Sequence, residues 1–275
     1  MGSMSDAARP ADRGEILDAM EREFSGWGDP AARLRQALAQ DELTLYLQPI
    51  VALADMRMEW AELLVRLREE ESLLLPPGEF LPVFEHFGMM AALDRWVLER
   101  GLGLLARGRL AGFRRASVNV STQALLDESF PADVGRLLGG LGVPADAVIF
   151  EIDEGDLLVR LEAVAYAATR LRRLGCRIAI DGFGRRAVSF APLKAVQVDF
   201  LKVDGSITRN LLRSEVALRK LQAILRVGQA LGLAAVAEYV EEAEIVARLR
   251  ALGVPYAQGF GLARPFPAEA AMRSR

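Results

Sequence analysis

"RIAIDGF", Arg177 to Phe183, is the stretch that decides the fold. Ile178, Ala179 and Ile180 follow one another without a polar break, as in a strand buried on both faces, and the run then stops on a carboxylate, Asp181, with glycine next.

Working outward, the same layout recurs. "LTLYLQPI" (43–50), "WAELLVRL" (60–67), "ASVNVS" (116–121), "VIFEIDE" (148–154), "FLKVDGS" (200–206), "AAVAEYV" (234–240) and "YAQGF" (256–260) are short apolar or β-branched runs. Between them lie stretches with helical periodicity, such as 92–106, 157–174 and 215–231, and a further helix is expected over 31–40. Strand alternating with helix eight times in about 240 residues predicts an α/β fold, a parallel sheet closed into a (β/α)8 barrel. No Gly-x-Gly-x-x-Gly follows an early strand, which counts against a dinucleotide-binding sheet.

Composition narrows the function classes. With 275 residues, 52% of them hydrophobic, the chain can bury a large core. Lys and Arg number 34 against 37 Asp and Glu, a net charge of −3, so no overall positive field recommends a nucleic-acid polymer. The single cysteine, Cys176, excludes an internal disulfide framework and fits a reducing cytosol; with one histidine, His86, a His/Cys metal site is disfavoured as well. Any metal must be held by oxygen. No apolar run approaches the ~18 residues of a membrane span, so a cytoplasmic, soluble domain is expected. Met1 to Ser3, followed by Met4, read as a tag remnant, and residues 1–28 as that remnant plus a linker or short helix (15–24), leaving 29–275 as the domain.

Each candidate strand carries a polar residue at or near its C-terminal end: Gln48, Glu62, Asn119, Glu151, Asp181, Lys202, Glu238 and Gln258. In a barrel these ends converge on the face where active sites are built. Five oxygen donors there (Glu62, Asn119, Glu151, Asp181, Glu238) would repel one another unless a cation sits among them, and hard oxygen ligands suit Mg²⁺, Mn²⁺ or Ca²⁺. Lys202 could neutralise charge or hold and polarise a water. His86, Cys176, Trp27, Trp60 and Trp96 read as structural; the pairs Arg172-Arg173 and Arg185-Arg186 read as solvated charge, with anion contact as the alternative.

From about 31 to 267 the sequence resembles the EAL domain family, the cyclic di-GMP phosphodiesterases of bacteria. "LQPIV" (47–51) is similar to the family's opening strand and "ELLVR" (62–66) to its naming motif, with Leu63 in the alanine position. "VNVS", "FEIDE", "VDFLKVD", "AEYVE" and "AQGF" match further motifs in order. The resemblance implies a barrel whose mouth binds cyclic di-GMP and, in active members, two Mg²⁺ or Mn²⁺ ions that activate water and yield linear pGpG. It implies Glu62, Asn119, Glu151 and Asp181 as ligands of the first metal, and Glu238 with Asp181 at the second. Lys202 would hold the attacking water, making Lys202, Glu62 and Asp181 the catalytic set. Gln48 and Gln258 would line the site, and Arg66 would meet a substrate phosphate.

One motif departs. Active members read Asp-Asp-Phe-Gly-Thr-Gly-x-Ser-Ser where this chain reads "DGFGRRAVS" (181–189), so the second aspartate is Gly182 and the Thr-Gly of the following loop is Arg185-Arg186. Glu154, the family's anchor for that loop, is present, but its usual partners are not. The expectation is a first metal site intact and a second impaired. The domain would then bind cyclic di-GMP or a partner, a second copy in a homodimer or another protein, with little or no hydrolysis; the alternative is an active, metal-dependent phosphodiesterase.

Overall fold

All eight expected strands form in the computed structural model, which describes residues 27, 29–68, 74–108, 110, 112–186 and 188–268. They are β1 (Leu43–Ala52), β2 (Met58–Arg68), β4 (Ala116–Asn119), β5 (Val148–Asp153), β6 (Arg177–Phe183), β7 (Phe200–Val203), β8 (Ala234–Ala237) and β9 (Tyr256–Ala257). Two-residue strands β3 (Leu74–Leu75) and β10 (Phe266–Pro267) extend the edges, and pairing of β1 with β2 and β9 closes the barrel. The expected helix at 15–24 and the tag remnant lie outside the described residues. Among the described residues no helix is long and apolar enough to cross a membrane.

The barrel is not wholly parallel, as the repeat had suggested. β1 runs antiparallel to β2 and to β9, while β2 and β4 to β9 are parallel to one another. The reason lies in residues 53–57: parallel neighbours need a crossover of a dozen or more residues, and this connection supports only a hairpin, with Met56 at φ 61° in its turn. Gln48 and Glu62 are therefore cross-strand partners within long strands, not strand-end residues. The periodic stretch 157–174 is also interrupted. It forms two helices, Glu154–Val159 and Leu161–Arg173, broken at Arg160 (φ −128°), although neither Gly nor Pro marks the break.

Strand periodicity of two positions the site. Ile50, Trp60, Ile149, Ala179, Phe200 and Val236 point into the barrel and form a separate apolar cluster, with Tyr256 packed against it. Trp60 is its centre, its ring 5.0 Å from Phe200 and 4.9 Å from Tyr256, which confirms the packing role expected of it. Two residues further along each parallel strand come Glu62, Glu151, Asp181, Lys202, Glu238 and Gln258; on the reversed β1 the matching step is backwards, from Ile50 to Gln48. The polar set therefore rests on a dry floor. Cys176 is buried, its thiol pushed up to about 12 by burial, as an inert core residue.

Candidate functional site

Lys202 stands at the centre of the polar set. Its Nζ lies 2.5 Å from Glu151, 3.0 Å from Glu62, and 3.2 Å from both Asp181 and Glu238. Glu62 is held from two further sides, by Asn119 Nδ2 (2.8 Å) and Gln258 Nε2 (2.7 Å). Gln258 is aimed inward because the next residue, Gly259, lies flat against Val240: a Cβ there would fall 2.2 Å from the Val240 backbone nitrogen. Seven of the eight expected polar residues thus meet directly or through one intermediary. Gln48 lines the same cavity opposite Glu62.

Electrostatics follow from burial. Glu151 is lifted well above the usual carboxylate range, chiefly by burial and then by the nearby Glu62, against the pull of Lys202. Burial likewise pushes Glu238 to about 8. Burial on its own would pull Lys202 down, yet the surrounding carboxylates more than offset it and hold the ammonium well above its ordinary value. One cation shared among four carboxylates is an arrangement poised to accept more positive charge.

The donor set fits a hard divalent cation in chemistry. Gln258 Oε1 is buried without a hydrogen-bond partner, and Asp181 Oδ1, though 3.2 Å from the Lys202 ammonium, accepts no hydrogen bond either. No three acidic side chains among the described residues converge on a shared point as a ready metal cage; here they converge on Nζ. A cation held by Glu62, Asn119, Glu151 and Asp181 would therefore require Lys202 to yield part of its hold.

The loop after β6 is built differently from the sequence expectation of solvated arginines. Gly182 has φ +63°, and a Cβ on it would come 2.5 Å from Arg185 Nη2. That guanidinium bridges two carboxylates, Asp153 Oδ2 and Asp204 Oδ2, each at 3.0 Å. The other oxygen of each caps a helix: Asp153 Oδ1 accepts from the Gly155 amide, and Asp204 Oδ1 from the Ser206 amide. Glu154 accepts from the Gly184 amide at 3.0 Å and so holds the start of this loop. Arg172 is likewise committed, paired to Asp199.

The mouth encloses a cavity of about 620 Å³. Arg66 lines it, its guanidinium stacked 5.3 Å over Tyr46, where burial lowers its pKa somewhat. Three residues escaped the sequence reading: Arg185 as a bridge, Tyr239 at the rim, and Asp94. Asp94 is buried in the helix Met90–Ala106 and accepts from the amide (2.8 Å) and hydroxyl (2.6 Å) of Ser121, fixing the chain just past Asn119. Its only sequence signal was an acidic residue on an apolar helix face.

Burial raises the Asp94 carboxyl to about 6, so the folded chain holds its proton more tightly than the unfolded chain does. Its contribution to stability is complete below about pH 4 and is lost as pH rises through 6. Wild-type protein should therefore lose roughly 2–3 kcal/mol of stability in urea unfolding between pH 4 and 7 from this group, and Asp94→Asn should remove that component of the slope.

Comparison with known proteins agrees with this geometry. The EAL domain family matches residues 31–265. The chain is 35% identical over 237 residues to the cyclic di-GMP phosphodiesterase PdeF of Escherichia coli (strain K12), covering 86% of this chain and 31% of that protein. It is 37% identical over 236 residues to the cyclic di-GMP phosphodiesterase NbdA of Pseudomonas aeruginosa, covering 85% and 30%. The chain thus spans about a third of the length of these relatives. Among solved structures, the FimX EAL domain from Pseudomonas aeruginosa bound to c-di-GMP superposes with a TM-score of 0.80 at 29% identity, covering 86% of this chain and 96% of that one. A c-di-GMP complex of the PaMucR phosphodiesterase gives 0.81 at 30%, covering 88% and 98%. By its motifs, its barrel and the extent of the match, the chain belongs to the EAL domain family.

Proposed function

We propose that this domain binds cyclic di-GMP in the barrel mouth around one divalent cation, Mg²⁺ or Mn²⁺, and signals through the bound state or a protein partner with little or no hydrolysis. One observation carries the reading: the Arg185 guanidinium stands where a side chain at position 182 would project, tied to Asp153 and Asp204. A fixed positive group there disfavours a second cation by like-charge repulsion as well as by the missing ligand. Support for the nucleotide comes from the FimX and PaMucR complexes.

In this reading Glu62, Asn119, Glu151 and Asp181 hold the cation, which when bound would supply Lewis-acid polarisation of a phosphoryl oxygen. Glu238 and Gln258 complete the wall, Gln48 lines it, and Arg66 meets a phosphate of the nucleotide. Lys202 stays protonated, balances the carboxylates, and orients water by donation only. The second reading, an active phosphodiesterase yielding pGpG, is favoured by the intact gathering of Glu62, Asp181 and Glu238 around Lys202. The domain in either case is taken as residues 29–275.

Calorimetry with Mg²⁺ or Mn²⁺ and chromatography of the same sample test both readings. Saturable heat at micromolar nucleotide with pGpG at least about 100-fold below an active EAL phosphodiesterase assayed alongside is expected. Comparable turnover overturns the non-hydrolytic reading, and absence of heat overturns nucleotide binding.

A further inference from the structure

Beside Glu238 the chain does something costly. Tyr239 has φ +53°, a left-handed conformation that bulky residues rarely adopt. The backbone is clamped on both sides: the Glu238 amide donates to Val203 O at 3.2 Å and the Val240 amide to Gln258 O at 3.0 Å. Val240 itself is fully buried. Glycine would relieve the strain, so the tyrosine ring is the feature that needs explaining.

The ring is accommodated on purpose-shaped surroundings. It lies against Gly205, where an added Cβ would meet the ring's Cδ2 at 2.4 Å and Cγ at 2.7 Å; any other residue at 205 would displace it. The Arg209 guanidinium lies over one face of the ring, 4.7 Å from its centroid, and forms no ion pair among the described residues. Despite this support Tyr239 is 53% exposed, and it lines the mouth cavity together with Arg209 and Glu241. A half-exposed aromatic, strained into place at a cavity rim and flanked by an unpaired guanidinium, matches what a planar, phosphate-bearing ligand needs: a stacking surface for a base and a cation for its charge.

We infer that Tyr239, positioned by Gly205 and Arg209, is a stacking platform for one purine base of the nucleotide in the mouth. This deepens the nucleotide-binding reading and rests on it. The platform sets affinity and selectivity for ligands with a planar base, at a cost in backbone strain.

The test uses three variants with cyclic di-GMP and Mg²⁺ in calorimetry, beside thermal unfolding. Tyr239→Gly should weaken binding by about 5- to 150-fold, the range of one lost base stack, while raising the unfolding temperature because glycine accepts this φ freely. Tyr239→Phe should stay within about twofold of wild type, and Tyr239→Leu, apolar but without the ring, should lose most of what glycine loses. Unchanged or tighter binding by Tyr239→Gly, or wild-type affinity in Tyr239→Leu, overturns the platform while leaving nucleotide binding intact. No heat from the wild type overturns the nucleotide reading and the platform with it.

Discussion

Replacing Gly182 by aspartate alone should leave pGpG production close to the wild-type level, whereas the Gly182→Asp/Arg185→Thr double variant should raise it by about 100-fold or more, as chromatography with Mn²⁺ present would show. The single variant is conformationally acceptable, since aspartate tolerates a φ near +63° better than most residues. Its Cβ, however, would fall 2.5 Å from Arg185 Nη2, so the guanidinium must give way slightly, and the new carboxylate becomes a third anionic partner of that group. The charge meant for a cation is spent internally. Removing the arginine frees the space and leaves Asp153 and Asp204 each with one uncommitted oxygen beside the new aspartate. A full gain of activity from Gly182→Asp by itself would show that Arg185 is a bystander.

The second large effect is on folding. Lys202→Met removes the sole cation among Glu62, Glu151, Asp181 and Glu238 and should destabilise the chain by about 3–5 kcal/mol at pH 8 in urea unfolding. Burial already lifts Glu151 well above the usual range and Glu238 to about 8. Without the ammonium both rise further, so the native state binds more protons than the unfolded one. Stability of the variant should accordingly recover as pH falls towards 5, and added Mg²⁺ should raise its unfolding temperature more than it raises that of the wild type. A variant as stable as wild type at pH 8 would mean that solvent, not Lys202, balances these carboxylates.

Most of the barrel was legible because its signal is local. β6 was read to the residue, and the helix Glu215–Leu231 likewise, since continuous apolar runs and 3.6-residue periodicity need no knowledge of neighbours. The polar set was legible for a related reason: a strand that alternates between a dry floor and a charged layer shows a polar residue at a fixed step from an apolar one. What the sequence could not show was direction and partnership. The reversal of β1 depends on a short connection that looked like an ordinary loop. Arg185 read as a solvated charge because its partners, Asp153 and Asp204, lie 32 and 19 residues away in opposite directions. Tyr239 gave no sign at all, because its φ is imposed by hydrogen bonds of its neighbours.

The apolar floor beneath the carboxylates, Ile50, Trp60, Ile149, Ala179, Phe200 and Val236, is almost wholly shut off from solvent. The site is consequently closed from below, while two cavities approach it on the mouth side, one past Arg66 and Tyr239 and one past Asn119 and Asp153. In the proposed reading ions, water and nucleotide arrive and depart on that side, and none passes through the floor. A nucleotide seated in the mouth would then stand between the carboxylates and solvent, so the ion beneath it would exchange more slowly than in the empty site.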